Sequence, residues 1–142
     1  MIRLNTKQQT LCAASATAIS VAALLMSPAV AHAYPCSQWA FSGATTLKQS
    51  NGWRLFFDST SPRALGAAEA VSKGGHMKGT VDGAITGKDV RLVVRWTSGP
   101  IGHYDGQINP DGYMNGITYD ATNPSSTATW SSDQRLSCLA PA

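Results

Sequence analysis

Of the residues that do acid–base or metal chemistry, His103 and Asp105 have the most suggestive spacing. They stand two apart in "GHYDGQINPDG", residues 102 to 112, and residues two apart on a strand share a face. If the segment forms a hairpin with the chain that follows it, Tyr119 falls opposite His103. Such a trio has the parts of a metal site or a proton shuttle. Tight metal sites usually gather three or four ligands, and only two can be named here, so the same residues also read as an exposed polar strand face. Asp105, Asp111 and Asp120 raise calcium, but none follows a known loop spacing, and turn-forming Asp-Gly pairs account equally well for the first two. The chain has no Gly-x-Ser-x-Gly elbow, no His-Glu-x-x-His pair and no phosphate loop. No catalytic residue, metal or cofactor is therefore assigned. A hydrolase or metal enzyme centred on His103 and Asp105 stands as the weaker alternative to a noncatalytic protein.

Aromatic residues give the stronger lead. Trp39, Trp53, Trp96 and Trp130 are spread along the chain, and Tyr104 falls in the strand that carries His103. Packing in a core is one use for such side chains. Lining a ligand cavity is the other. Tyr113, Ile117 and Tyr119 alternate along a later segment. They form an outward apolar face able to serve as a contact surface.

The start of the chain bears on where this chemistry would take place. "MIRLNTKQQTLCAASATAISVAALLMSPAVAHA" has Arg3 and Lys7 with no acid, an alanine-rich apolar run, Pro28 and the exit Ala31-His32-Ala33. This is the pattern of a secretory signal peptide over residues 1–33, cleaved before Tyr34. Cleavage leaves nine basic and eight acidic residues. That near-neutral balance, with no basic cluster, disfavours nucleic acid as a partner. No membrane span is expected after cleavage, and the remaining 34–142 suit one domain with a single core. With Cys12 removed, Cys36 and Cys138 remain near the two ends of an exported chain, and a disulfide between them is expected.

The elements that would position these residues are short, rich in β-branched and aromatic residues, and ended by turn chemistry. Eight strands are expected, at 38–48, 53–58, 64–71, 76–86, 89–97, 102–109, 112–119 and 126–131. Gly43 marks a bend in the first, and Asn51-Gly52 reads as a two-residue hairpin turn. "ALGAAEAV" has alanines that would suit a helix, but Gly66 and the flanking breakers favour a strand.

Around Gly87-Lys88 the alternation fixes a register, with Thr86 facing Asp89, Ile85 Val90, Gly83 Leu92, Val81 Val94 and Gly79 Trp96. A glycine opposite Trp96 lets the indole lie over the missing side chain. On the outer face Asp82 falls opposite Val93, with Arg91 and Arg95 at diagonal reach, which reads as a solvated ion-pair ladder. "NPDG" suits a type I turn with a glycine bulge, so Asn109 faces Tyr113, Ile108 Met114, Gly106 Gly116 and Tyr104 Thr118.

One phrase is thereby written twice, since Gly79, Val81, Gly83 and Ile85 map onto Gly102, Tyr104, Gly106 and Ile108. Large and absent side chains alternate along inward positions, as a small closed barrel requires. Inward glycines at 79, 83, 106 and 116 leave space that either neighbouring side chains or a ligand would fill. The expected fold is all-β: an antiparallel up-and-down meander of eight strands closing into a small barrel, with the disulfide pinning the closing strands. A two-sheet β-sandwich is the alternative.

The leader ending "AHAYPC", the hairpin "SNGWRLFFD", the glycine-spaced repeats and the late "ATWSSDQRLSC" resemble the small exported β-barrel proteins of actinobacteria, a group with few assigned functions. Four tryptophans on short strands and "STATW" also give a fainter likeness to avidin-type barrels. The remaining spacing departs from that family, and no biotin-binding residue is carried over. The expected function is a secreted, noncatalytic binding module for a small apolar or aromatic ligand, or for a cell-envelope component, with Trp39, Trp53, Tyr104, Trp96 and Trp130 as its candidate binding residues. An envelope structural or protein-interaction role through Tyr113, Ile117 and Tyr119 is the alternative. The ligand, the oligomeric state and retention at the cell surface are not legible in the sequence.

Overall fold

The computed structural model describes residues 36–142, so the leader and its cleavage site lie outside the described residues. Ten strands follow one another: β1 (Cys36–Ala40), β2 (Gly43–Gln49), β3 (Arg54–Ser59), β4 (Arg63–Ser72), β5 (Gly75–Thr86), β6 (Asp89–Trp96), β7 (Ile101–Ile108), β8 (Met114–Asp120), β9 (Asn123–Ser132) and β10 (Ser137–Pro141). Strands β2 to β9 form a closed antiparallel barrel in sequence order. The meander is therefore observed, and the sandwich alternative is not.

Two strands were not foreseen as separate elements. Gly43 adopts φ +119°, a conformation that side-chain-bearing residues rarely reach, and there the expected strand 38–48 breaks into β1 and β2. Phe41, at the break, is buried and meets Phe57 edge-on, with ring centroids 5.2 Å apart. The end of the chain forms β10, which pairs with β1 as a separate two-stranded ribbon. Cys36 and Cys138 are disulfide-bonded within this ribbon. The bond therefore does not pin the strands that close the barrel, which are β2 and β9.

That closing seam is short. Its register pairs are Leu47 with Ser132, Lys48 with Ser131 and Gln49 with Trp130. Just below, Asp133 N donates to the Thr46 carbonyl and Thr46 N to Gln134 Oε1, so side chain and loop satisfy groups that no strand reaches.

The central registers are those expected from the alternation, from Thr86 facing Asp89 to Gly79 facing Trp96, and from Ile108 facing Met114 to Tyr104 facing Thr118. Val81, Ile85, Val90, Leu92, Val94 and Trp96 consequently face the interior and are buried. On the outside, Asp82 pairs with Arg63 of β4 at 3.0 Å rather than with Arg91 or Arg95. Both partners are well exposed, so the pair contributes about 0–1 kcal/mol.

Three hairpins share one turn. In each, the first residue's carbonyl accepts from a glycine three residues on, and its N–H donates to the carbonyl four residues on: Gln49 to Trp53, Trp96 to Pro100 and Asn109 to Tyr113. Gly52, Gly99 and Gly112 all have positive φ. This is the three-residue loop of a type I turn closed by a glycine bulge. It corrects the reading of Asn51-Gly52 as a two-residue turn, because Ser50 also belongs to the loop.

Four glycines are seats for indoles. A Cβ on Gly79 would lie 3.0 Å from Trp96 Cε3, one on Gly75 3.1 Å from Trp53 Cη2, one on Gly112 3.0 Å from Trp39 Cζ3, and one on Gly106 2.5 Å from Trp130 Cζ2. All four tryptophans thus lie over a backbone position without a side chain, and at Gly79 and Gly106 the indole fills space that the inward glycine pattern opens.

Candidate functional site

The two ends of the barrel differ. The turns after β3, β5 and β7 and the chain after β9 gather at one end, which the terminal ribbon covers. Gln38 Nε2 donates to the Ile85 carbonyl, Gly87 N donates to Gln38 Oε1 at 3.0 Å, and Leu136 N donates to the Gly112 carbonyl at 2.8 Å. Trp39, Ala40, Phe41 and Leu136 pack at this base. Above it the lumen is solid, since Leu47, Leu55, Leu92, Val94 and Met114 are all almost wholly buried.

At the opposite end the turns after β2, β4, β6 and β8 surround a cavity of about 240 Å³ that is open to solvent. Two of the three matching turns stand here, and their geometry delivers the aromatic lining. The turn that pairs Gln49 with Trp53 and the turn that pairs Trp96 with Pro100 place all four of these residues on the cavity wall. Met77, half-buried, adds apolar surface between the indoles.

Tyr104 forms part of the floor. Its hydroxyl accepts from Gln49 Nε2 at 2.9 Å, and Thr118 faces Tyr104 across β7 and β8. Burial raises its pKa above the ordinary 10.0, opposed in part by the side chains of Thr118 and Gln49. It therefore remains a protonated phenol throughout the physiological range. The ring lies edge-on to Trp130 with centroids 6.3 Å apart, and Trp130 Nε1 is buried without a hydrogen-bond partner among the described residues.

The charged residue on the wall is Asp120, and one oxygen of its carboxylate is already engaged. Oδ1 accepts from Thr122 Oγ1 at 2.7 Å, Thr122 N at 2.9 Å and Ile101 N at 3.3 Å. The bonds from Thr122 are the largest cause holding its pKa below 3.8. A depressed carboxylate stabilises the turn after β8 at pH values above its unfolded pKa, and that stability is lost as pH falls through the lower folded value. The Thr122 amide resonance is accordingly expected to hold its position from neutral pH down to the ordinary Asp range and to move only below it. An NMR pH titration in which Thr122 moved between pH 5 and 7 would contradict this assignment.

The structure therefore gathers Trp53, Trp96 and Tyr104 at one mouth. It places Trp39 at the covered base, over Gly112, and Trp130 inside the barrel beneath Tyr104 rather than on the cavity wall. Tyr113 and Ile117 face outward and are exposed, while Tyr119 is half-buried. Asn115 stands between Tyr113 and Ile117 on the same face, and the Arg135 guanidinium lies 5.8 Å from the Tyr113 ring centroid.

His103 and Tyr119 face each other across β7 and β8 as expected, with rings stacked 4.9 Å apart and 6° from parallel. Asp105 lies on the same outer face, opposite Arg91 and Ile117 in the sheet. No group of three or more His, Cys, Asp or Glu side chains is arranged to hold a metal among the described residues. Gln49 and Thr118 were not singled out from the sequence, although the pairing of Tyr104 with Thr118 already placed one of them next to a candidate, and Asp120 was raised only in connection with calcium.

No helix among the described residues is long and apolar enough to cross a membrane. The disulfide is compatible with an extracellular protein. The chain has no significant match among protein-family models, curated proteins or solved structures.

Proposed function

We propose that the protein is a secreted, noncatalytic binding module that takes a small apolar or aromatic ligand, or a cell-envelope component, at the open mouth of its barrel. The observation that carries this reading is the contrast between the two ends: a ribbon covers the base, while Trp53, Trp96 and Tyr104 converge on an open cavity. Concave, largely apolar sites with a few convergent polar groups are the usual form of small-molecule sites. The leader and the Cys36–Cys138 disulfide support an extracellular setting.

The oxidised protein should respond to a matching ligand with a saturable, one-to-one change in tryptophan fluorescence. Trp53 is half-buried at the rim and can be removed without emptying the core. Trp53→Ala should therefore keep the fold and weaken binding about tenfold or more. Unchanged affinity in that variant would take the ligand away from the mouth.

A second reading, an envelope structural or protein-interaction role without a small-molecule site, is favoured by the exposed Ile117 beside the outward-facing Tyr119. Substituting Tyr113, Ile117 and Tyr119 with serine should then abolish capture of an envelope partner. Retained capture would remove that reading.

A further inference from the structure

The polar groups at the mouth are as informative as its indoles. Gln49, Asn51, Thr118, Ser126 and Thr127 stand around the same cavity as Trp53 and Trp96, and all are neutral. Asp120 Oδ1 accepts from Thr122 and Ile101, and its carboxylate is the one charged group on the wall, so the mouth disfavours an anionic ligand. Gln49 uses one amide N–H on Tyr104, which leaves its Oε1 and its second N–H to a ligand.

The seam adds backbone groups to this set. The last β9 residue joined to the β2 side is Thr129, whose carbonyl accepts from Ser50 N at 2.9 Å and whose N–H donates to Ser50 Oγ at 3.1 Å. Residues 123–128 run on past that point along the rim with no strand paired on that side. The cavity thus has two indoles and Met77 on one part of its wall, and neutral amide, hydroxyl and peptide groups with the single Asp120 carboxylate on the rest.

A flat hydrocarbon would leave those polar groups without partners, at a cost. A ring with C–H groups on its face and hydroxyls around its edge satisfies both parts of the wall. Size points the same way: about 240 Å³ lies below the roughly 300–1,000 Å³ that holds a drug-sized molecule, so the site admits one ring. Because the cavity opens at the rim, the rest of a longer molecule can project outward.

We infer that the mouth binds the neutral terminal sugar unit of a glycan, with its ring against the indoles and its hydroxyls on Gln49, Thr118 and the free β9 edge. This rests on the binding-module reading and names the ligand class for the same site.

The test is an NMR titration of the disulfide-bonded protein, following the indole N–H resonances. The probes are the methyl glycosides of glucose, galactose, mannose and N-acetylglucosamine, the methyl glycoside of glucuronic acid, toluene, and a disaccharide ending in whichever sugar binds. At least one neutral glycoside should shift Trp53 and Trp96 saturably, and the disaccharide should bind at least as tightly. Gln49→Ala should weaken that binding about three- to tenfold while leaving toluene unaffected.

Tighter binding of the glucuronide than of every neutral glycoside would overturn the neutral-ligand assignment. A disaccharide excluded where its methyl glycoside binds would overturn the chain-end assignment. Toluene bound at the mouth with no glycoside bound would end the sugar inference and leave the binding module standing. If no probe moved either indole, both would fall.

Discussion

Replacing Gly106 with alanine is expected to cost about 3 kcal/mol, the upper part of the range for overpacking a well-filled core. The added Cβ would lie 2.5 Å from Trp130 Cζ2 and 2.7 Å from Cη2, and it would also press on the Asn115 carbonyl. Neither neighbour can move aside easily. Asn115 is held in the β8 ladder, and Trp130 is 3% exposed, with Tyr104 against it. For a domain of this size the melting temperature should fall by roughly 12–24 °C.

Gln107, the next residue, is exposed, so Gln107→Ala should stay within about 0.5 kcal/mol of the parent. In a double-mutant cycle, Trp130→Leu should offset part of the Gly106→Ala cost, with a coupling of about 0.5–3 kcal/mol. A Gly106→Ala protein melting within about 4 °C of the parent would contradict the indole-seat account.

Removing the disulfide as Cys36→Ser with Cys138→Ser should cost about 4 kcal/mol. The bond joins residues 102 apart, and in the chain-entropy model a loop of about 100 residues gains roughly 4.7 kcal/mol from closure. Position in the fold sets which part loosens first. The ribbon of β1 and β10 is attached to the barrel base through Gln38 and the Leu136 loop, whereas the mouth is at the far end. Amide exchange at Trp39 and Cys138 should therefore rise first as the ribbon frays, and ligand response at Trp53 should persist in the folded fraction. Simultaneous loss of protection at both ends would show that the ribbon and the barrel are one cooperative unit.

The barrel was legible because the alternation in 76–97 and 102–119 is regular and its turns are specified. Once Gly87-Lys88 and Asn109 to Gly112 are fixed as turns, every cross-strand partner follows by counting. The break at Gly43 was legible only as a bend. A bulge that lets a strand continue and a glycine that ends it look alike in sequence, and what decided it was Phe41 turning to pack on Phe57. The last strand, β10, was missed because "SCLAP" is short and finds its partner about a hundred residues away. Long-range pairing of that kind leaves no local pattern.

The site was legible in part. Of the five aromatics named from the sequence, Trp53, Trp96 and Tyr104 do converge on one cavity. Trp39 and Trp130 do not line the mouth, because hairpins alternate between the two ends of a barrel and no sequence signal said which end would be covered. The inward glycines were read as space, and only Gly79 was matched to its indole. The other seats involve neighbours across the sheet or at a turn, as with Trp130 over Gly106 two strands away. Gln49 was overlooked because its bond to Tyr104 crosses the interior from β2 to β7, and no spacing along the chain predicts such a contact.

The central claim is that one end of this barrel is a ligand site and the other is sealed. The four indole N–H resonances test it together, because Trp53 and Trp96 stand at the mouth, Trp39 at the base and Trp130 between. On titration with the tightest ligand from the glycoside and toluene panel, Trp53 and Trp96 should shift saturably, with Trp39 unchanged. A shift at Trp39 while Trp53 and Trp96 stay still would contradict the account, and would place the ligand at the ribbon end instead.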